Sequence, residues 1–386
     1  MKILTVDIGT GTQDIFLYDS RLDMENGFKL VVPSPTMIVR QQIMEATRRQ
    51  DAILLSGVTM GGGPNSWAAE AHLRAGLQVF ATPDAARTFN DDLEAVSRMG
   101  IQLISQDEAA ALPVAVRRIG LRDFDFIAIE RALDQFGVSL EGLSAIAVAV
   151  FDHGNAPPGV SDRQFRFDYL DERIRAANRL SAFAFLAEQA PPIMTRLQAV
   201  VQSARSSNSP RLQGLPLVVM DTAPAAVLGA TFDPRLRQAQ HSLIANVGNF
   251  HTLAFRLGPG SIEGVFEHHT GLLDRPKLES LLRSLADGSL KHADVFADHG
   301  HGALIYQPEP FPLDEGDFGV VVTGPRRSLL RGSELRPYFA VPFGDMMIAG
   351  CFGLLAACAD LLPELREALQ ASLRGDNRGI APWDET

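Results

Sequence analysis

The order of apolar and polar positions along the chain predicts alternating strands and helices. Residues 3–18 read as strand, tight turn, strand, with apolar runs on either side of Gly9-Thr10-Gly11-Thr12. Two such runs joined by a Gly/Thr turn signal a hairpin. Strands follow at 52–56 and 78–81. Helices are predicted from Trp67, after the Gly61-Gly62-Gly63-Pro64 loop, and over 84–99 and 127–136. Residues 145–151 form an unbroken apolar run of the buried-strand type. A long helical stretch at 179–204 is interrupted by Pro191-Pro192, and a buried strand at 215–220 leads into a small-residue helix at 223–230.

After Asp233-Pro234 the pattern restarts. Residues 241–247 and 252–257 flank Gly248-Asn249, again as strand, polar turn, strand. A helix at 278–285, a strand at 319–323 ending in Gly324-Pro325, and a Gly/Ala-rich helix at 346–362 complete the series. Two hairpins in parallel surroundings predict duplicated halves. The expected division is 1–235 and 236–386, with the last helix returning to the first lobe.

Composition narrows the class. At 386 residues, 46% hydrophobic and 21% charged, the chain has apolar material for two large lobes, which excludes disorder. A net charge of −11 argues against a nucleic-acid surface, which needs clustered cations. The two cysteines, Cys351 and Cys358, lie two helical turns apart, too far to bridge, and read as core thiols. A chain that holds its own iron–sulfur cluster by cysteines needs three or four, so radical chemistry of that kind is excluded. Asp7 interrupts the N-terminal apolar run, unlike a secretory signal. The longest uncharged and mostly apolar stretch, residues 346–359, is shorter than the ~20 residues a bilayer requires. A soluble cytoplasmic protein without membrane partners is expected.

Chemistry gathers at the turns. Asp7 precedes Gly9-Thr10-Gly11-Thr12, a turn whose amides and hydroxyls can surround a phosphate while the acid holds magnesium. An ordinary hairpin loop is the alternative. The second hairpin repeats the layout through Asn246, Gly248, Asn249, His251 and Thr252, so two turns in opposed halves can grip a polyphosphate. The strand into Gly324-Pro325 offers a backbone that a flat base can approach closely.

In this order the motifs resemble the actin, Hsp70 and sugar-kinase superfamily. The stretch from Asp7 to Thr12 is similar to its first phosphate motif, Asn246 to Thr252 to its second, and Val320 to Pro325 to its adenosine motif. Met220-Asp221-Thr222 is similar to the first connecting segment and residues 346–357 to the second. The resemblance implies two actin-like ATPase (ribonuclease H-like) lobes, ATP and Mg²⁺ in the cleft, and slow hydrolysis or phosphoryl transfer to a small molecule. A nucleotide-dependent switch or reactivase acting on a partner protein is the alternative. Thr59-Met60-Gly61-Gly62-Gly63, Phe151-Asp152-His153-Gly154-Asn155 and Glu267-His268-His269-Thr270-Gly271 resemble the DUF1786 family, labelled as a pyruvate formate-lyase activating enzyme. The cysteine count contradicts that label as chemistry. Asn246 departs from the superfamily, whose second motif opens with Asp, and slow or absent turnover is expected.

Several residues carry two readings. Asp221 is an N-cap or a general base. Asp152, His153 and Asn155, after a buried strand, line a substrate or form a fixed surface loop, and Arg163 binds an anion or solvent. His268 and His269, with Asp298-His299-Gly300-His301 downstream, are polar cleft residues or metal ligands of a hydrolase. Adjacent histidines on a strand face opposite ways, so only one of that pair can serve.

Overall fold

The computed structural model describes every residue except 238, 377, 378, 382, 385 and 386. An antiparallel meander opens the chain: β1 (Lys2–Ile8), β2 (Thr12–Asp19) and β3 (Phe28–Pro33). An insertion follows with four short parallel strands, β4 (Ile53–Gly57), β5 (Val79–Ala81), β6 (Gln102–Leu103) and β7 (Arg117–Leu121), in the order β6-β5-β4-β7. The chain then rejoins the first sheet through β8 (Leu143–Val150), β9 (Ala184–Leu186) and β10 (Leu217–Asp221). That sheet has the order β3-β2-β1-β8-β10-β9, with β1, β8 and β10 parallel.

The second lobe repeats the plan. A meander of β11 (Ser242–Val247), β12 (His251–Gly258) and β13 (Ser261–His269) is extended by β14 (Gly302–Ile305) on one side. Two parallel strands, β15 (Val320–Thr323) and β16 (Pro337–Phe339), lie on the other, giving β14-β13-β12-β11-β15-β16. The shared core order, meander then two parallel strands, is the duplicated α/β plan of actin-like lobes.

Two helices of small residues join the halves. Thr222–Ala230 starts at the end of β10, and Ala349–Leu361 packs on the first sheet among Phe16, Ala147 and Val218. Their backbones nearly touch: a Cβ on Gly229 would lie 1.7 Å from the Ala349 carbonyl oxygen, and one on Gly353 1.9 Å from that of Ala225. Only glycine permits this approach.

Two sequence expectations fail locally. The stretch 179–204 is not one broken helix but short 3₁₀ turns, β9, and a helix at Thr195–Ser206. The helix expected over 84–99 is two short ones, Pro83–Ala86 and Leu93–Arg98, because Asp92 starts a second helix by accepting from the Glu94 amide. A helix that the pattern does not predict, Asp162–Ala176, shows no clean apolar stripe because its buried face includes Arg166 beside Phe167, Leu170 and Ile174.

Candidate functional site

The two hairpin turns close alike. The Gly9 amide donates to the Thr12 carbonyl at 2.9 Å, and the Gly248 amide to the His251 carbonyl at 3.0 Å. Strand register sets Ile8 opposite Gln13 and Val247 opposite Thr252. Residue for residue, Asn246 therefore corresponds to Asp7, Asn249 to Thr10 and His251 to Thr12. Both turns border one cleft, which Gly324 and Pro325 also line. The cavity there is small, about 110 Å³. A Cβ on Gly11 would lie 2.6 Å from Asn249 Nδ2, so the turns themselves are in contact. Of the second-hairpin residues, Thr252 alone lies beneath the turn, fully buried with its hydroxyl 2.9 Å from that of Thr270.

Two carboxylates share the cleft. Asp7 accepts a 2.5 Å hydrogen bond from the Thr222 hydroxyl and packs so tightly on Gly350 that a Cβ there would lie 1.8 Å from its Oδ2. Burial pushes its pKa up to about 7, against the pull of the Thr222 bond and with help from the Asp221 charge. Across the hairpin sits Asp14, 7% exposed, whose Oδ1 has no hydrogen-bond partner among the described residues. Burial and then the Asp7 charge push Asp14 up to about 8. Two close, poorly solvated acids with an orphaned oxygen form a donor set that a hard cation fits.

Asp221 stands apart. It lines neither this cleft nor the adjoining cavity. Arg166 Nη1 donates to it at 2.7 Å, and it caps the helix Thr222–Ala230 by accepting from the Ala223 amide.

Beside the cleft opens a cavity of about 1110 Å³, bordered by the insertion on one side. The loop 152–155 lines it, bringing His153 and Asn155 to the wall, and Gly61-Gly62-Gly63 line it as well. Asp152 is largely consumed by structure: its Oδ2 accepts from the Arg196 and Leu197 amides and its Oδ1 from Gly154, all within 2.9 Å. Arg163 lies outside the cavity, donating to the Phe296 and Gly300 carbonyls and stacked over the Phe296 ring. The arginine in the wall is Arg196, held by Asp123 at 2.6 and 3.0 Å.

Strands β12 and β13, with the start of β14, gather the histidines. His251 pairs with His269 in register, and the His301 amide bonds the Glu267 carbonyl. The three rings stand with centroids 4.7–5.1 Å apart, and one nitrogen from each falls within 4.8 Å of the others. Beneath them Glu267, fully buried, accepts from His251 Nδ1 at 2.9 Å and from Arg166 Nε at 2.6 Å. Burial opposes its ionisation, but Arg166 and the histidines hold it well below the usual carboxylate range. Burial pushes His301 down to about 3 and His269 to about 4, so both rings are neutral. His268 faces the other side of β13, buried against Asp298.

Arg166, Arg196 and Asp14 escape the linear pattern. Asp14 had one signal: counting back through the turn pairs it with Asp7. The arginines gave none, because their partners lie far away in sequence.

Comparison with solved structures gives ethanolamine utilization protein EutJ from Carboxydothermus hydrogenoformans at 11% identity, TM-score 0.32, covering 92% of this chain and 89% of that one. The ROK hexokinase from Thermus thermophilus aligns at 13% identity, TM-score 0.26, covering 97% and 88%. Likenesses this weak leave the fold to rest on strand order. Comparison with curated proteins finds no match. Among the described residues no helix is long and apolar enough to cross a membrane. Residues 60–329 match the family described as "Putative pyruvate format-lyase activating enzyme (DUF1786)", and the chain belongs to that family.

Proposed function

We propose that this protein binds a magnesium–adenine nucleotide between its two hairpin turns and slowly hydrolyses it or transfers its terminal phosphoryl group to a small molecule. The observation that carries the reading is the pair of like-closed turns facing one another across a single cleft, with a third glycine turn beside them. In this reading the Gly9–Gly11 and Gly248–Asn249 backbones and the Thr10 and Thr12 hydroxyls take the phosphates, and the Gly324-Pro325 turn takes the base. Asp7 and Asp14 hold the magnesium, which supplies charge neutralisation at the phosphates.

Asn246 stands where the second lobe would offer its own acid, so both carboxylates come from the first hairpin. A metal held from one side only polarises the terminal phosphate less well, which accounts for slow turnover. Asp221 is not assigned the base, since it lines neither the cleft nor the adjoining cavity where an acceptor would lie and is held instead by Arg166 and the Ala223 amide. The adjoining cavity, with the 152–155 loop in its wall, favours a small-molecule acceptor over a switch that moves a partner protein.

Titration calorimetry of the full chain with ATP and Mg²⁺ tests the binding, and ADP release tests the chemistry. Heat on addition with slow ADP release is expected. Absence of both heat and thermal stabilisation at millimolar nucleotide would end the cleft reading. Binding without any ADP would instead favour the switch.

A further inference from the structure

We propose that His251, His269 and His301 form a three-histidine centre for a divalent transition metal, with zinc the best match to its donors, open on the side where His251 borders the large cavity. This reading is independent of the nucleotide.

The geometry argues first. Paired strand positions His251 and His269, with His301 just ahead of β14, present one nitrogen each within a 4.8 Å triangle. Zinc–imidazole bonds of ~2.0–2.1 Å in a tetrahedral site set nitrogens ~3.3 Å apart, so each ring must shift by less than about 1 Å. Side-chain rotation supplies that without moving a strand.

The second line is hydrogen bonding. An ionised carboxylate only accepts, so Glu267 fixes the proton of His251 on Nδ1 and leaves the Nε2 lone pair free. Such a carboxylate behind the imidazole orients metal-bound histidines elsewhere. His301 is 1% exposed, and its Nδ1 has no partner among the described residues. A buried polar nitrogen left unpaired is costly unless something else takes its lone pair. A metal does so.

The third is surroundings. Phe151 stacks on His251 at 4.0 Å and carries Arg166 on its other neighbour contact, 4.0 Å from the ring, so the cluster sits on a rigid, partly apolar floor. His251 lines both the nucleotide-type cleft and the large cavity, and the His153 ring lies 6.3 Å from it. Three protein ligands leave a tetrahedral ion one position, the usual arrangement where zinc polarises a bound molecule or water. The class of ligand implied in the cavity is therefore one with an oxygen or nitrogen that can reach that position.

Equilibrium binding of Zn²⁺ alone to the chelator-treated full chain tests the proposal. One tightly held zinc per chain is expected, not displaced by excess Mg²⁺. His269→Ala and His301→Ala should each weaken it by at least ~100-fold, and Glu267→Gln by ~10–100-fold. His241→Ala, which removes an exposed histidine outside the cluster, should leave it unchanged. Should His301→Ala fail to fold, the half-buried His269 carries the test alone. Zinc affinity equal in wild type and His269→Ala, or no stoichiometric zinc at all, would overturn the proposal.

Discussion

At the scale of single residues, the electrostatics of the cleft turn on Asp14. A carboxyl whose folded pKa is raised binds more protons in the native state than in the unfolded chain. Stability is then full below the ordinary value of 3.8 and is lost as pH rises through the folded value of about 8. The Asp7 partner, at about 7, follows the same sign. Asp14→Asn keeps the shape and removes the charge. Its melting temperature should match wild type near pH 4 and exceed it increasingly toward pH 8, while stabilisation by Mg²⁺ shrinks. Scanning fluorimetry across that range decides it: a variant less stable than wild type at pH 8, or one still fully stabilised by Mg²⁺, removes Asp14 from the metal reading. The same residue shows what a linear reading loses. Asp7 announces itself beside a glycine turn, whereas Asp14 hides in an alternating strand and matters only once register is counted. Arg166 is harder still, for it joins Asp221 to Glu267 across 55 and 101 positions of chain. Buried ion pairs of this kind are tertiary facts, and no local pattern encodes them.

At the scale of elements, legibility follows periodicity. Hairpins with sharp glycine turns and long apolar strands such as β8 could be placed from sequence, because one face or both are buried and the turn fixes register. The helix Asp162–Ala176 could not, since a guanidinium occupies its buried face. The small-residue helices were legible for a different reason: glycine and alanine mark close backbone approach. That approach gives a sharp expectation for Gly353, where a new Cβ meets the Ala225 carbonyl at 1.9 Å, a rigid backbone atom rather than a flexible side-chain end. Gly353→Ala gains helix propensity, by about 1 kcal/mol, yet must separate the two helices. Overpacking of this sort costs ~1–3 kcal/mol or more. Net destabilisation by chemical denaturation is expected, together with weaker nucleotide binding, since the same helix sets Gly350 against Asp7. A more stable Gly353→Ala would mean that the two helices are not held at this spacing in solution.

At the scale of the whole molecule, the cleft is closed. Its 110 Å³ lies well below the ~300–1,000 Å³ of typical small-molecule sites, and the contact between Gly11 and Asn249 shows why: the two phosphate-type turns meet. If the proposed nucleotide binds there, its entry requires the lobes to part. The insertion takes part in this closure, because Gly63 packs against the Phe250 ring, where a Cβ would lie 2.4 Å from it, and Trp67 meets the same ring edge-on at 5.5 Å. Phe250 belongs to the second turn, so its contact with Trp67 must alter when that turn moves. Trp67 is 56% exposed, and the chain has only one other tryptophan, Trp383. In a Trp383→Phe background the fluorescence of Trp67 should change on addition of Mg²⁺ and ATP, and the change should disappear in Phe250→Ala. The two variants together separate lobe movement from direct contact of nucleotide with the indole, because the latter would survive loss of Phe250. A calorimetric binding signal with no change at Trp67 would show that the nucleotide enters without the second turn leaving its place.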